Sequence, residues 1–190
     1  MTRIIAGDWK GRALQVPPSN TRPTSSRVRE AIFSSIAHQL DSFDGINVLD
    51  VYAGSGALGF ESLSRGGTRA TFIDSDAKAC ACIEHNAKQL GTTVSILQRD
   101  AMATVANTAD VAYDLVFIDP PYAVTDDEVA TLVANLASNG WLSKDALIVV
   151  ERSRNSNFQW PHSVTALSNK SYGDTSIWYG LHTPDRVELS

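Results

Sequence analysis

The sequence predicts an α/β fold in which a mostly parallel sheet carries helices on both faces. Three observations support this. From residue 46 onward, short apolar runs alternate with helical patterns, and repeated strand–helix units favour a parallel sheet. A glycine-rich turn joins the first of these runs to the helix that follows it. The last two apolar runs, 164–167 and 176–181, indicate an antiparallel pair that ends the sheet.

The remaining elements follow from local patterns along the chain. Residues 3–16 alternate weakly around the segment 7–11, which predicts a β-hairpin with a glycine-rich turn. A loop at 17–23 leads into a helix, whose apolar residues recur at every fourth position from Val28 to Leu40. Beyond it we predict strands at 47–51, 70–74, 94–98, 113–118 and 146–151, with helices after residue 56, from 76 to 90, after 100 and after 125.

Two helix ends carry recognisable capping signals. Gly91 follows the helix at 76–90 and is of the type that ends a helix in a left-handed conformation. Thr125 followed by Glu128 forms a capping box, and the helix that it opens should end at Asn139 and Gly140.

Composition places the chain among single-domain globular proteins. It has 190 residues, of which 43% are apolar and 19% charged. The sequence contains no run of about 18 apolar residues, so no membrane span is predicted, and the first seven residues lack the apolar stretch of a signal peptide. We therefore expect a cytoplasmic protein. Cys80 and Cys82 are too close in a helical pattern to bridge each other, and with only His85 nearby we expect no metal site.

Charge is distributed unevenly, although the net charge is −5. Residues 1–40 contain six Lys and Arg residues against two acidic ones, whereas the rest of the chain contains ten against 19. A basic N-terminal segment on an acidic body is typical of a localised nucleic-acid contact. Ordinary surface charge explains the asymmetry equally well, so the charge alone leaves both interpretations open.

The glycine-rich turn, with Gly54 and Gly56, predicts a nucleotide or nucleoside site. Glycines let the backbone approach a ligand closely, and the following helix offers free N–H groups. Asp74 ends the next strand, where it can accept hydrogen bonds from ribose hydroxyls. This pattern fits NAD, FAD or S-adenosylmethionine, and a turn that serves only packing is the alternative. A phosphate-binding loop is excluded because no Gly-Lys-Ser/Thr follows. A nucleophile elbow is excluded because the positions two residues before and after Ser55 are Ala53 and Ala57, where that motif has glycines.

The Asp-Pro-Pro-Tyr turn, formed by Asp119, Pro120, Pro121 and Tyr122, favours an amino-methyltransferase. It follows a buried strand, at the sheet edge where α/β proteins bind ligands. The Asp119 carboxylate and the Pro120 carbonyl can each accept a hydrogen bond from one N–H of an exocyclic amine. This arrangement favours a tetrahedral nitrogen with its lone pair free. Tyr122 can stack on the base, a contact worth about 1–3 kcal/mol. A rigid turn with a capping Asp is the alternative; a dehydrogenase has no need of this set.

With these residues in place, the chain resembles the RsmD family of bacterial small-subunit ribosomal RNA guanine-N2 methyltransferases, from Arg3 to about Leu181. The Asp-Pro-Pro-Tyr turn is shared with many amino-methyltransferases, including DNA adenine enzymes. The block at 22–30, with Arg-Pro-Thr and Arg-Val-Arg-Glu, is more specific to the family. The other matching segments are Arg-Ile-Ile-Ala-Gly at 3–7 and the glycine-rich segment at 50–61.

The resemblance implies a Rossmann-like class I methyltransferase with a seven-stranded, mostly parallel sheet and an N-terminal β-hairpin extension. It implies S-adenosylmethionine as methyl donor, without metal, and guanine 966 of 16S rRNA as target. The partner would be the small ribosomal subunit, as the 30S particle or a late assembly intermediate, and no membrane is implied. We divide the chain into a hairpin arm (1–20) that engages RNA, a methyltransferase domain (21–182) and a tail (183–190).

The resemblance also implies roles for individual residues. The Asp-Pro-Pro-Tyr turn would be catalytic. Tyr52, where phenylalanine is expected, should not touch the chemistry. Asp100 is equally well explained as a helix N-cap, and Trp9 as a residue packed on its own scaffold. The residues implied in cofactor binding are Asp50, Ala53, Gly54, Gly56, Asp74, Ser75, Asp100, Ala101, Arg22 and Thr24, and those implied in RNA binding are Arg3, Trp9, Lys10, Arg12 and Arg27.

Three other functions compete with this interpretation. A DNA adenine-N6 methyltransferase would share the Asp-Pro-Pro-Tyr turn, but 190 residues leave little room for a target-recognition region. A non-catalytic ribosome-binding module would have no need to keep that turn. An NAD-dependent oxidoreductase would fit the glycine-rich turn alone.

Overall fold

The computed structural model describes residues 2–18 and 25–184. Its elements alternate as predicted from residue 46 onward, and the strands at 47–51 and 113–118 have the predicted bounds. In chain order the elements are β1 (Thr2–Arg3), β2 (Ala13–Leu14), α1 (Ser26–Gln39), β3 (Asn47–Val51), α2 (Ala57–Ser64), β4 (Arg69–Asp74), α3 (Ala77–Leu90), β5 (Ser95–Gln98), α4 (Ala101–Val105), β6 (Tyr113–Ile118), α5 (Asp126–Ser138), β7 (Leu142–Ser153), β8 (Val164–Tyr172) and β9 (Thr175–His182).

Seven of these strands form one sheet in the order β5-β4-β3-β6-β7-β9-β8. The pairs from β5 to β7 are parallel, whereas β9 runs antiparallel to both of its neighbours. The predicted mostly parallel sheet with an antiparallel end is confirmed. Strand order reverses between β3 and β6, and in such sheets the crevice beyond the strand ends at that point is the usual ligand site.

The central strands are buried on both faces, which explains their near-continuous apolar sequence. Along β3, Val48 packs with α1, α2 and α3, while Leu49 packs with α4 and α5. Both residues are 0% exposed. The two-residue alternation of the strand therefore divides the core into two layers, one on each face of the sheet.

The last three strands are longer than predicted. β8 continues to Tyr172 because it is an edge strand whose outer positions are polar and exposed, so its apolar pattern ends before its backbone pairing does. β7 begins at Leu142, and its pairing with β6 changes register where Asp145 adopts a positive φ of 60°. The turn that joins β8 to β9 contains Gly173, which has φ 62°.

The predicted N-terminal hairpin is present, but each of its strands has only two residues. Ile4 and Leu14 are buried in the same core layer as α1 and α2. The hairpin turn lies against the end of α2, where Asp8 N donates to Ser64 O (2.8 Å) and Trp9 N to Ser64 Oγ (2.9 Å). Gly7 (φ +80°) is required there, because a Cβ would lie 1.7 Å from Ser64 O. The hairpin is thus packed on the sheet domain, and its role as an RNA-binding arm stays a prediction.

Both capping predictions are confirmed. Gly91 ends α3 with φ 73°, and Thr125 and Glu128 form the capping box of α5. Cys80 and Cys82 are free and buried. Within 2–18 and 25–184, no helix is long and apolar enough to cross a membrane.

Candidate cofactor and substrate site

A cavity of about 500 Å³ opens at the carboxyl edge of the sheet, where the strand order reverses. The turns after β3, β4 and β6 and the end of β7 form most of its wall. The N-terminal segment, α1 and β9 contribute the residues Thr2, Val16, Pro17, Arg29 and Thr175. The cavity therefore brings together the glycine-rich turn and the Asp-Pro-Pro-Tyr turn, as the parallel topology requires.

The glycine-rich turn is held in place by two carboxylates. Gly54 N donates to Asp74 Oδ2 (2.8 Å), and Gly59 N donates to Asp50 Oδ2 (2.9 Å). Gly54 has φ +56°, and no atom lies within 4 Å of where its Cβ would be, so its exposed side is open for a ligand. Gly56 differs, because its Cβ would lie 2.8 Å from the Phe60 ring. The turn thus has one glycine at the cavity and another that permits packing.

Asp50 is a strongly perturbed acid of the cavity wall. The residue is 2% exposed. Burial and, to a smaller extent, the nearby charge of Asp74 raise the pKa of its carboxyl to about 8, although the hydrogen bond from Gly59 N opposes the increase. A cationic group entering the cavity would restore the charge of Asp50, because opposite charges favour ionisation.

Tyr52 also lies in the cavity wall; that it does not touch the chemistry stays a prediction. It adopts φ 61°, a conformation that costs a non-glycine residue of the order of 1–3 kcal/mol and is concentrated at functional sites. Burial raises the pKa of its hydroxyl, and the charges of Asp100 and Glu128 raise it further. The strained backbone begins the glycine-rich turn directly after β3.

The Asp-Pro-Pro-Tyr turn lies at the mouth of the cavity. Asp119 is half-buried and Pro120 is buried. Tyr122 is 82% exposed, which is unusual for so large a ring. The turn closes through the carbonyl of Pro121, which accepts from Val124 N (3.0 Å). A carboxylate in the wall and a flat ring at the entrance are therefore presented to the same space.

Asp126 links this turn to the end of β7. It accepts from Arg152 Nε (2.7 Å), Ser156 Oγ (2.8 Å) and Asn157 N (2.9 Å). Arg152 also donates to Val124 O (2.8 Å), directly after the turn. Desolvation raises the Asp126 pKa, but these hydrogen bonds outweigh it and leave the pKa lowered.

Arg29 of α1 is the largest fully buried side chain of the described chain, at 1% exposed, and it lines the cavity. Its Nη2 donates to Arg3 O (2.9 Å). Among the described residues, its Nε and Nη1 have no hydrogen-bond partner. Burial lowers the pKa of the guanidinium, and the charge of Glu61 opposes this.

Most of the predicted cofactor and catalytic residues lie together in the cavity wall, but not all of them. Gly56, Asp100 and Ala101 are outside the lining. Asp100 is confirmed as an N-cap, since its Oδ1 accepts from Ala103 N (2.8 Å); its contact with adenine stays a prediction. Arg22 and Thr24 are outside the described residues, as are 185–190 of the predicted tail. The predicted residues that line the cavity are Asp50, Ala53, Gly54, Asp74, Ser75, Asp119, Pro120, Pro121 and Tyr122.

Sequence reasoning assigned no cavity position to Tyr52, Arg29 or Arg152. Tyr52 is the second residue after Asp50 and before Gly54, so its place in the glycine-rich turn was a usable signal. Arg29 belongs to the family-specific block at 22–30, but no local pattern places either arginine at the cavity, which they reach through the packing of α1 and β7.

Four of the five predicted RNA-binding residues are exposed cationic side chains, and the fifth is a tryptophan that packs against the core. Arg3, Lys10, Arg12 and Arg27 are exposed. Trp9 is partly buried and packs against the core, which favours the scaffold interpretation. The buried Arg29 cannot contribute to a surface footprint. In the described parts of the chain, no group of three His, Cys, Asp or Glu residues is placed to hold a metal ion.

Comparisons with known proteins agree with this architecture. The family model described as Conserved hypothetical protein 95 matches residues 2–180. Ribosomal RNA small subunit methyltransferase D of Haemophilus influenzae is 34% identical over 92% of this chain and 90% of its own. The protein of the same name from Escherichia coli K12 is 38% identical over 78% and 73%, respectively.

Solved structures of other proteins share this fold. That of yhhF from Escherichia coli matches with a TM-score of 0.84 at 32% identity, covering 97% of this chain and 99% of that one. Magnesium protoporphyrin IX methyltransferase from Synechocystis, solved with bound SAM, matches with a TM-score of 0.62 at 13% identity over 82% and 80%, which shows the class I methyltransferase fold alone. The chain therefore belongs to the family described as Conserved hypothetical protein 95, the RsmD family.

Proposed function

We propose that this RsmD-type rRNA methyltransferase transfers a methyl group from S-adenosylmethionine to the exocyclic N2 amine of a guanine, guanine 966, in 16S rRNA of the small ribosomal subunit. The observation that carries the proposal is the Asp-Pro-Pro-Tyr turn at the mouth of the cavity, with the Tyr122 ring 82% exposed. The names of the relatives support the rRNA substrate. The turn supports the exocyclic amine.

The cavity residues fit S-adenosylmethionine. Asp74 at the end of β4 would accept from the ribose hydroxyls with its cavity side, while Oδ2 holds Gly54 N. The open side of Gly54 allows the ligand to approach the backbone. Asp50 lines the same cavity, and its buried carboxyl would face the cationic ammonium of the methionine end. The cofactor, when bound, supplies an electrophilic methyl group.

Tyr122 and Asp119 would position the substrate. An exposed aromatic ring beside a cavity offers a stacking platform to a flipped or unpaired base, which an enzyme acting on a base requires. The Asp119 carboxylate and the Pro120 carbonyl would then each accept a hydrogen bond from one N–H group of the amine. This contact draws the nitrogen lone pair out of conjugation, and positioning the amine contributes much of the rate.

The size and charge of the protein favour a folded ribonucleoprotein as substrate. The exposed Arg3, Lys10, Arg12 and Arg27 can bind phosphates, which position a protein without reading sequence. RNA is recognised largely through shape. The selection of one guanine would thus come from its place in the assembled subunit, in the cytoplasm.

Transfer of labelled methyl to small ribosomal subunits that lack their native modifications tests the proposal. Naked 16S rRNA and duplex DNA are assayed in parallel, and the products are digested to nucleosides. We expect N2-methylguanosine from the subunits, mapped to position 966. N6-methyladenine from the DNA would show a DNA adenine enzyme instead, and no label in any substrate would show a non-catalytic binding protein.

Variants of the turn separate its two roles. Asp119→Ala should abolish turnover while the affinity for S-adenosylhomocysteine stays largely intact. Tyr122→Ala should lower turnover, and Tyr122→Phe should keep most of it, because stacking needs only the ring. Activity near wild type in Asp119→Ala would refute the role of the turn.

A further inference from the structure

The segment 152–172, which contains the end of β7, the loop that follows it and all of β8, has no acidic residue. It carries three cationic residues, Arg152, Arg154 and Lys170, whereas the rest of 41–190 has seven Lys and Arg residues against 19 acidic ones. On an otherwise acidic body, such a segment forms a localised positive surface. The chain therefore has a second basic segment besides the one at 1–40.

The three cations of this segment differ in their availability to a partner. Arg152 is only partly exposed, and its Nε donates to Asp126 Oδ1 (2.7 Å). Lys170 Nζ donates to Ser35 Oγ of α1 (2.9 Å). Arg154, in contrast, is an exposed residue. It is therefore the cation of the segment that an external anion can approach most directly.

Arg154 lies at the rim of the cavity. The residue before it, Ser153, lines the cavity, as does Thr175, which pairs with Ser153 across β7 and β9. Arg154 N donates to the backbone carbonyl of Asp174 (2.8 Å), and Nη1 makes a longer hydrogen bond to Gly173 O (3.4 Å). These contacts hold Arg154 against the turn between β8 and β9, at the carboxyl edge of the sheet.

The β7–β8 loop (154–163) is fastened beside the Asp-Pro-Pro-Tyr turn. Asp126, four residues after Tyr122, accepts from Ser156 Oγ (2.8 Å) and from Asn157 N (2.9 Å). Phe158 is 0% exposed and belongs to the core layer of α4 and α5. A loop anchored in this way loses little conformational freedom when its outward side chains bind a partner.

The side chains that the β7–β8 loop leaves exposed beside Arg154 are suited to RNA. Asn155, Asn157 and Gln159 are exposed, whereas the large apolar Phe158 is buried. A guanidinium binds phosphate, and side-chain amides offer donors and acceptors to the edges of unpaired bases. An apolar protein surface would find little to pack against here, so RNA is the better partner.

The β7–β8 loop and the N-terminal hairpin lie on opposite faces of the sheet. Phe158 packs in the layer of α4 and α5, whereas Ile4 and Leu14 pack in the layer of α1 and α2. Both segments reach the cavity, since Thr2 and Ser153 line it. An RNA strand whose target base enters the mouth would thus meet cations on both sides of it.

We propose that the β7–β8 loop is a second RNA-contact surface, in which Arg154 binds a backbone phosphate and Asn155 and Asn157 contact the nucleotides beside the target guanine. This inference rests on the proposed function. It gives the small domain two separate points of attachment, the hairpin and the loop. Two points fix the direction and the register of the strand that crosses the mouth, which one basic arm alone would leave free.

Binding of small ribosomal subunits that lack their native modifications, measured by filter binding over a series of salt concentrations, tests this assignment. Arg154→Gln should weaken binding about three- to tenfold. It should also reduce the slope of log K against log salt by about 0.7–0.9, as for loss of one phosphate contact. Arg154→Lys should keep the wild-type slope, because it keeps the charge.

The double variant Asn155→Ala/Asn157→Ala tests the amide contacts separately. It should weaken binding about three- to tenfold without changing the salt slope, since it removes hydrogen bonds and no charge. The bond from Asn157 N to Asp126 uses the backbone and is retained. In all of these variants KM for the subunits should rise, while kcat and the affinity for S-adenosylhomocysteine stay at wild-type values.

Arg69→Gln is the matched control, because this exposed arginine lies at the start of β4, at the opposite edge of the sheet. It should leave binding and the salt slope unchanged. If Arg154→Gln and the double variant bind as Arg69→Gln does, the inference is wrong and the proposed function stands. Weaker binding of Arg154→Gln with an unchanged slope would show a contact with ribosomal protein, and would also overturn the inference. If wild type neither binds nor methylates the subunits, the proposed function is wrong and the inference falls with it.

Discussion

Gly7→Ala and Gly11→Ala form a matched pair that tests how the N-terminal hairpin is attached. Both glycines lie in the same turn and have nearly equal backbone angles, φ +80° and +81°. An alanine in this conformation costs about 1–2 kcal/mol at either position. At Gly11 nothing lies within 4 Å of the added Cβ, so the backbone penalty is the whole expected effect.

At Gly7 the added Cβ would meet Ser64 O at 1.7 Å, whereas real Cβ contacts stay above 3.0 Å. The turn and the end of α2 must therefore separate by more than 1 Å. This movement removes three hydrogen bonds of Ser64, with Asp8 N, Trp9 N and Ala6 O. At about 0.5–1.5 kcal/mol each, their loss makes Gly7→Ala about 1.5–4.5 kcal/mol less stable than Gly11→Ala.

Urea denaturation followed by tryptophan fluorescence measures this difference, with equal m-values required for the comparison. In a thermal scan we expect the two melting temperatures to differ by roughly 3–18 °C for a chain of this size. If the two variants agree within about 0.5 kcal/mol, the close contact between the hairpin turn and α2 does not form, and the account of the hairpin given above is wrong.

Three further substitutions test the buried charges and the Asp126 contacts. The Glu61 carboxylate is 0% exposed and accepts hydrogen bonds from donors such as Ile5 N. Glu61→Gln places an amide N–H against such a donor, and urea denaturation should show a loss of about 2–4 kcal/mol in the free energy of unfolding. Burial raises the Asp50 pKa from 3.8 to about 8, so the folded chain keeps a proton that the unfolded chain releases. Wild type should therefore lose up to about 6 kcal/mol of stability relative to Asp50→Asn as pH rises through this interval. Asp126→Asn weakens the contact with Arg152; we expect kcat to fall about tenfold or more, with the affinity for S-adenosylhomocysteine unchanged.

Exposed neighbours supply the controls for these variants. Glu84→Gln on α3 and Asp127→Asn beside Asp126 should behave as wild type. A Glu61→Gln protein as stable as Glu84→Gln would show that the buried contacts contribute nothing. A stability difference between wild type and Asp50→Asn that is independent of pH would show an ordinary Asp50 pKa. Equal kcat values for Asp126→Asn and Asp127→Asn would contradict the positioning role of Asp126.

The features that the sequence predicts well are those that depend on neighbours along the chain. The strands at 47–51 and 113–118 were predicted with their observed bounds, because both are buried on two faces and read as continuous apolar runs. The capping box of Thr125 and Glu128 is local for the same reason. The cavity itself follows from topology, since parallel strands bring the turns after Val51 and Ile118 to one edge.

The features that the sequence does not predict depend on contacts between distant segments. Arg29 and Glu61 look like surface charges in their helices, and only the docking of the hairpin on α1 and α2 buries them. Asp126 and Arg152 are 26 residues apart and meet because β7 lies beside β6. A longer β8 was missed because its exposed residues carry no apolar signal.

The N-terminal segment takes part in two surfaces at once, since Thr2, Val16 and Pro17 line the cavity while Arg3 and Arg12 face solvent. If RNA binds those arginines, the RNA site and the cofactor site share a structural element, and binding at one site that moves this element is thermodynamically linked to binding at the other. Reciprocity then requires that RNA changes the affinity for the cofactor by the same factor as the cofactor changes the affinity for RNA. The ratio of the ribosomal subunit's affinities for the cofactor-bound and cofactor-free enzyme would thus be measured by titrating the enzyme with cofactor in the presence and absence of RNA.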